Sequence, residues 1–401
     1  MMQINTNSRS INLDPRDAQF YADPYPIYRQ MQAQCPVFNW EQYGHWCFSR
    51  HADVNTLLRD RRFGRQILHV ASREELGWAE PAKHLQIFIN HEKHSLLELE
   101  PPVHTRLRGL ISRAFLSRQI ERLRPFITKL ANDLIDGFSG KEVDLLSAYA
   151  TPIPVQVICH LLGAPVSMAD QFLEWSHDHV AMYMARRDRV IEDKAVKAVS
   201  EFSAYMRKLI GQRRTDLRDD LLSELIRAES EGQKLSEYEL ITTAVLILNA
   251  GHEATVHALG NGIKAMLERG IVGPITPELV EEILRFDPPL HMFTRYALED
   301  LEFDGLHLKK GEVVGLMLAA ANHDAAKFDA PEIFNPARAP NPQLSFGAGI
   351  HFCIGAPLAR LEMQIALEVL FQRLPALRLA EVPRYKDVYH FHGLEKLITR
   401  R

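Results

Sequence analysis

The chain has little of what marks membrane, secreted or nucleic-acid-binding proteins. None of its apolar runs approaches the ~20 residues that a membrane helix requires. It has four cysteines in 401 residues, Cys35, Cys47, Cys159 and Cys353, and their spacing fits neither a disulfide framework nor a zinc site. Charge of neither sign dominates: 47 Lys and Arg face 51 Asp and Glu, which argues against nucleic acid as a main partner. The opening MMQINTNSRSINLDPRDAQF lacks the apolar core of a signal peptide or membrane anchor. No repeat, low-complexity tract or Gly/Ser linker divides the chain, and Gly347, Gly349 and Gly355 lack the spacing of a dinucleotide fingerprint. These absences leave a soluble, cytoplasmic protein, read as one domain over residues 1–401.

Helical periodicity fills most of the chain. Near the start, PVFNW and HWCFS flank Glu41-Gln42-Tyr43-Gly44 and predict a hairpin. Residues 118–138, 168–187 and 196–210 then read as helices. The longest predicted helix opens with a capping box, Ser236-x-x-Glu239, and runs to Gly270, roughly 50 Å at the α-helical rise. Strand-like pieces follow around Gly305 and Gly311, then an irregular Asn/Asp/Pro-rich stretch at 322–345 and a helix over 357–374. The fold class is mainly α with a small β portion.

Two short runs carry chemistry. In Phe346-Gly347-Ala348-Gly349-Ile350-His351-Phe352-Cys353-Ile354-Gly355, a thiol stands just before a helix start, where free N–H groups favour a thiolate. The glycines let the backbone turn tightly and approach a flat partner closely. In Ala250-Gly251-His252-Glu253-Ala254-Thr255, a carboxylate and a hydroxyl sit beside a glycine inside the long predicted helix. A bond from the Thr255 hydroxyl to the Gly251 carbonyl would bend that helix. His252-Glu253 and His257 imitate a zinc-protease motif, but histidines five apart point about 140° away from each other on a helix. The run His91-Glu92-Lys93-His94 reads as surface loop. Glu282 and Arg285 form an i,i+3 pair, and Glu121 and Arg124 repeat the pattern.

The cysteine run resembles the haem-binding loop of the cytochrome P-450 family, F-G-x-G-x-H-x-C-x-G, at every fixed position, and the second run resembles that family's oxygen-binding motif. The likeness extends from Asp23-Pro24-Tyr25-Pro26 to Gly393-Leu394-Glu395. It implies a P-450 fold with haem b (iron protoporphyrin IX) between the long central helix and the helix after the cysteine loop. Cys353 would then be the axial iron ligand. Glu253 and Thr255 would deliver protons, and Phe346, Gly347, Ala250 and Gly251 would border the haem. His104, Arg108, Arg295 and His351 match positions that hold the propionates. Glu282, Arg285 and Arg338 would form a buried charge triad, the Glu282 copy being chosen because it precedes Asp287-Pro288-Pro289 as the family's pair does. Asn322-His323-Asp324-Ala325 departs from the usual N-R-D-P.

The activity implied is oxygen insertion into a mid-sized hydrophobic substrate, using O2 and external electrons. NAD(P)H would act only through ferredoxin reductase and ferredoxin. A peroxygenase would lack the acid–alcohol pair, and a haem sensor would lack turnover. Pocket positions carried over are Phe88, Met182, Met184, Ile247, Ala250, His291, Phe293 and Leu394, with His291 the polar exception. Arg106, Arg113 and Arg360 are read as a sparse basic face for an acidic ferredoxin, and the chain as a monomer without a membrane anchor.

Overall fold

The computed structural model describes residues 2–113, 115–183, 187–230 and 235–401. They form two compact units: Met1–Ile67, Ile127–Thr151 and Ala254–Arg401 make the first, Leu68–Phe126 and Pro152–Glu253 the second.

The first unit holds a mixed seven-stranded sheet among the described residues. The predicted hairpin is there, Val37–Trp40 pairing antiparallel with His45–Phe48. Val313–Leu316 lies parallel to His45–Phe48 and antiparallel to Phe293–Ala297, which places Arg295 opposite Val314. Val37, Phe48, Leu57, Val314 and Leu316 bury their side chains in one core, and Leu344 and Ala348 join it, anchoring the base of the cysteine loop. Each such Leu or Phe contributes roughly 1.5–3 kcal/mol by leaving water. The Ala356–Arg373 helix follows the loop. Tyr149 donates its hydroxyl to the Ala366 carbonyl at 2.7 Å and fixes that helix from the side.

The second unit is helical apart from its loops. Ala169–Val180 packs on Arg189–Arg213 through Phe172, Trp175 and Phe202, whose rings lie 5.0–6.1 Å apart. Glu237–Ala250 is buried along most of its length and starts with the predicted Ser236/Glu239 capping box.

Three helical expectations change. The long helix is two helices, Glu237–Ala250 and Glu253–Glu268, separated by Gly251 and His252. A Cβ at Gly251 would come within 2.6 Å of Ile158 Cγ1, so the close approach of that side chain requires glycine. His252 Nδ1 donates to the Leu248 carbonyl at 2.8 Å, capping the end of the first helix with a side chain. No hydrogen bond links Thr255 to the Gly251 carbonyl among the described residues, so the break does not arise from that contact. The stretch 118–138 is also two helices, Ser117–Glu121 and Arg124–Asp136. The helix expected over 168–187 ends at Val180 and continues as a short 3-10 turn, Ala181–Tyr183. Its remainder lies partly outside the described residues. Among the described residues, no helix is long and apolar enough to cross a membrane.

Candidate active site

Cys353 stands apart from the other three cysteines. Cys35, Cys47 and Cys159 are buried, and burial pushes their thiols up, that of Cys159 to about 12. Cys353 is exposed. Its N–H donates to the Phe346 carbonyl at 2.9 Å, closing the loop, and the Ala356–Arg373 helix starts three residues later. Gly347 and Gly349 take φ of +67° and +70°, and a Cβ at Gly349 would strike the Leu58 carbonyl. Glycine is required there on both counts. Gly355 brings only backbone near the sulfur; a Cβ at that position would lie 3.8 Å from Sγ. An exposed thiol ahead of a helix, on a loop whose glycines allow close approach of a partner, fits the face of a flat metallated ring. His351 sits in the one-turn Gly349–His351 element, and Arg295 is buried on its strand. The Ala356–Arg373 helix also buries Glu362, whose carboxyl makes no hydrogen bond among the described residues and is pushed up by that burial.

Glu282 lies between two guanidinium groups. Arg285 approaches it in bidentate fashion, with Nε and Nη2 each 2.8 Å from a carboxylate oxygen, and Arg338 Nε is 3.1 Å away. Asn335 N–H and the Asn341 amide also donate to Glu282. Spare guanidinium protons go to the carbonyls of Asn322, Pro331, Asp329, Ala330 and Ile333. The network is a buried ion cluster with its donors assigned, which is the condition under which buried charge is tolerated. Beside it, Asn322 donates to Ser345 Oγ at 2.8 Å and accepts from Leu344 N–H at 2.7 Å, so it braces the start of the cysteine loop. His323, the departure from N-R-D-P, is buried, donates to the Phe286 carbonyl at 2.8 Å and stacks on Tyr25 at 4.2 Å.

In the second unit, His104 is buried and Arg108 half-buried, one turn apart on Val103–Ser112. Glu253 Oε2 lies 3.4 Å from His177 Nε2 and 3.6 Å from His252 Nε2. The His177 side chain is 60% exposed, so the carboxylate is in reach of a group that exchanges protons with water. Sequence reasoning missed His177, because it is 76 residues from Glu253 and no local pattern marks it. Thr255, in the first unit, is buried in the first turn of the Glu253–Glu268 helix.

The pocket positions divide. Phe88 and Met182 share an apolar cluster with Leu85, Ala195 and Val199. Ile247 is buried and Ala250 exposed, while Phe293 is half-buried and Leu394 fully buried in the first unit. Met184 lies outside the described residues. His291 is fully buried: its Nδ1 meets the Tyr28 hydroxyl at 2.8 Å, and its ring packs on Tyr389 and His392. It belongs to a buried Tyr/His cluster around Asp287. Burial alone would raise the Asp287 carboxyl, but the charge and hydrogen bond of His392, with the hydroxyls of Tyr25 and Tyr385, hold it below the usual range. Two of the three candidate docking arginines have local partners: Arg106 pairs with Glu239, and Arg360 pairs with Glu281 at 2.5 Å while covering the Phe346 ring. Arg113 is exposed.

A cysteine presented in this way and braced by a Glu/Arg network is the signature of haem-thiolate oxygenases, and comparison with known proteins agrees. The cytochrome P450 family model matches residues 274–382. The polyketide biosynthesis cytochrome P450 PksS of Bacillus subtilis (strain 168) is 34% identical over 401 residues, covering 96% of this chain and 97% of its own. The vitamin D(3) 25-hydroxylase of Pseudonocardia autotrophica is 37% identical over 393 residues, covering 95% and 91%. The crystal structure of P450BioI in complex with hexadec-9Z-enoic acid ligated acyl carrier protein superposes with a TM-score of 0.87 at 31% identity, covering 96% and 100%. The chain belongs to the cytochrome P450 family. It is a monooxygenase that uses haem b and O2, with electrons from NAD(P)H arriving indirectly through redox partners.

Proposed function

We propose that this P450 hydroxylates a mid-sized hydrophobic molecule with electrons from a ferredoxin and its reductase, and that Cys353 ligates the haem iron. The observation that carries the reading is the exposed Cys353 thiol on its glycine loop, alone among four cysteines in not being buried. His104, Arg108, Arg295 and His351 would hold the propionates, charged or polar groups suited to carboxylates. When bound, the haem supplies the binding and reductive activation of O2. The chain's own part is proton handling. His177 takes a proton from solvent at Nδ1 and gives the one on Nε2 to Glu253 Oε2, and the Thr255 hydroxyl would hold the last water in line. The Glu282–Arg285–Arg338 cluster holds the segment that leads into the cysteine loop. A wall containing Phe88 and Met182 is apolar, which supports a hydrophobic substrate. The relatives' names point to a polyketide pathway, vitamin D(3) and a hexadec-9Z-enoic acid on its carrier protein, so an extended hydrocarbon is the substrate class favoured.

The test is a coupling measurement. Thr255→Ala should leave substrate-induced haem spectral shifts in place and divert NAD(P)H electrons to peroxide. Cys353→Ser should lose the thiolate-type CO spectrum and turnover together. Unchanged product per NAD(P)H in Thr255→Ala would refute the relay, and a retained CO spectrum in Cys353→Ser would refute the ligand assignment. Turnover supported by H2O2 alone, and not by ferredoxin, would replace the monooxygenase reading with a peroxygenase.

A further inference from the structure

Of residues 91–94, read from sequence as surface loop, His91 and Glu92 end a helix, Gln86–Glu92, and His91 is buried against a histidine, while Lys93 and His94 form the turn that follows. His91 and His179 are 6% and 5% exposed, and their rings meet edge to face with centroids 5.5 Å apart. Glu92 Oε1 lies 3.1 Å from His179 Nε2. The Tyr183 hydroxyl donates to Glu92 Oε2 at 2.5 Å, which fixes the plane of the carboxylate and turns Oε1 toward the imidazole. One donor atom from each of His91, Glu92 and His179 lies within 4.8 Å of the other two. All four residues belong to the second unit.

The states of His91 and Glu92 suit a cation. Burial, and secondarily the neighbouring His179, push His91 down to about 4, so near neutral pH it is an imidazole with a free lone pair. Burial would raise the Glu92 carboxyl, but the hydrogen bond and charge of His179, with the Tyr183 hydroxyl, hold it below its ordinary value. The Ser203 hydroxyl stands 3.5 Å from His91 Nδ1, at the limit of a hydrogen bond, which leaves Nε2 as the ring nitrogen to face an ion. His179 Nδ1 is buried without a hydrogen-bond partner among the described residues. Two imidazoles and one carboxylate drawn from two helices, with one buried ring nitrogen left unpaired, are a poor way to fill a core.

We propose that His91, Glu92 and His179 bind a divalent transition-metal ion, zinc by donor chemistry, with water in the fourth position. Two histidines and a carboxylate are a standard zinc set, with bonds of ~2.0–2.2 Å to each. At that bond length the tetrahedral ligand separation is ~3.3 Å, close to the Glu92–His179 distance already present. His91 closes the remaining gap by rotation about its side-chain bonds. On binding, the ion takes the place of the proton between His179 Nε2 and Glu92 Oε1, and that proton is released to solvent. Tyr183 keeps the carboxylate oriented. The ion pins the Gln86–Glu92 helix to Ala169–Val180. Phe88 lies on the first of these with its ring 5.1 Å from His179, and Met182 follows the second, so the ion stiffens one apolar wall of this unit.

The experiment uses the haem-loaded protein, stripped of loose metal with a chelator and titrated with zinc chloride by calorimetry. One equivalent per haem should bind saturably. Glu92→Gln, which keeps the size of the side chain, should abolish that binding, as should His179→Asn. Tyr183→Phe should weaken it about tenfold. Haem absorbance of each variant reports whether it is folded. In zinc-soaked crystals the anomalous peak should fall among the three residues. Absence of saturable binding in the parent, an anomalous peak elsewhere, or binding that survives in folded Glu92→Gln would overturn the site.

Discussion

Glu282 and Arg285 stand three residues apart on one helix, and Glu121 and Arg124 repeat that spacing in the other unit. The first pair is 0% exposed at both side chains, shares its carboxylate with Arg338, and sends its remaining protons to backbone carbonyls. The second is 56% and 41% exposed and spans the gap between two short helices. Identical letters thus specify a buried network in one place and a solvated pair in the other. What separates them is the company kept at long range: Arg338, Asn335 and Asn341 lie more than fifty residues after Glu282. Removing a buried charge leaves its partners uncompensated, whereas removing an exposed one leaves water to fill in.

The largest expected effect follows directly. Glu282→Ala should cost about 3–5 kcal/mol, because two guanidinium groups lose their counter-charge where water cannot replace it. Glu121→Ala should stay within about 0.5 kcal/mol of the parent. Urea unfolding of the haem-loaded proteins, compared at unchanged m-value, measures both. Equal losses in the two variants would break the comparison.

Much of the site was legible in the sequence for a physical reason. The capping box at Ser236 and the hairpin at Gly44 are local devices, each set by neighbours a few residues away, and the cysteine loop carries its glycines and thiol in one short run even though Leu58 and Asn322 hold it from a distance. The Glu282 copy was selected by its chain context, and Arg338 by family likeness, with no pattern of its own to mark it. A bend at Gly251 was expected from a Thr255 hydrogen bond; the helix instead breaks outright there, and the contact that demands glycine comes from Ile158, nearly a hundred residues earlier. His291 was expected as a pocket residue, and the groups that bury it, Tyr28, Tyr389 and His392, come from both ends of the chain. His91 was placed on the surface for the same reason: its cover, His179, is remote in sequence.

Buried histidines extend the comparison to pH. Burial pushes His91 and His390 down to about 4, and burial together with Arg285 pushes His323 down to about 3. A base with a depressed folded pKa binds fewer protons folded than unfolded between that pKa and its ordinary ~6.5. The stability these groups allow is therefore complete above pH 6.5 and falls as pH drops toward 4. Each histidine adds up to about 1.4 kcal/mol per pH unit to the slope. His323→Gln, which keeps a donor for the Phe286 carbonyl, should flatten the slope by one histidine's share. A slope unchanged in that variant, followed by chemical denaturation from pH 7 to 4.5, would show that the ring is not held neutral.

The smallest effect gives the sharpest separation between the two Glu/Arg pairs. A double-mutant cycle on Glu121 and Arg124 should yield a coupling of about 0.2–1 kcal/mol, the usual range for an exposed pair. At ~1 M salt the Debye length shrinks to about 3 Å, and that coupling should vanish. A cycle on Glu282 and Arg338 should give a coupling that 1 M salt leaves almost unchanged, because mobile ions cannot enter a site that is 0% and 9% exposed. Folding of the Glu282 variants is the risk in this measurement, so Arg338→Lys, which retains the charge without the planar fork, supplies a milder arm. If salt weakens both couplings alike, the buried network is hydrated, and the contrast drawn from exposure fails.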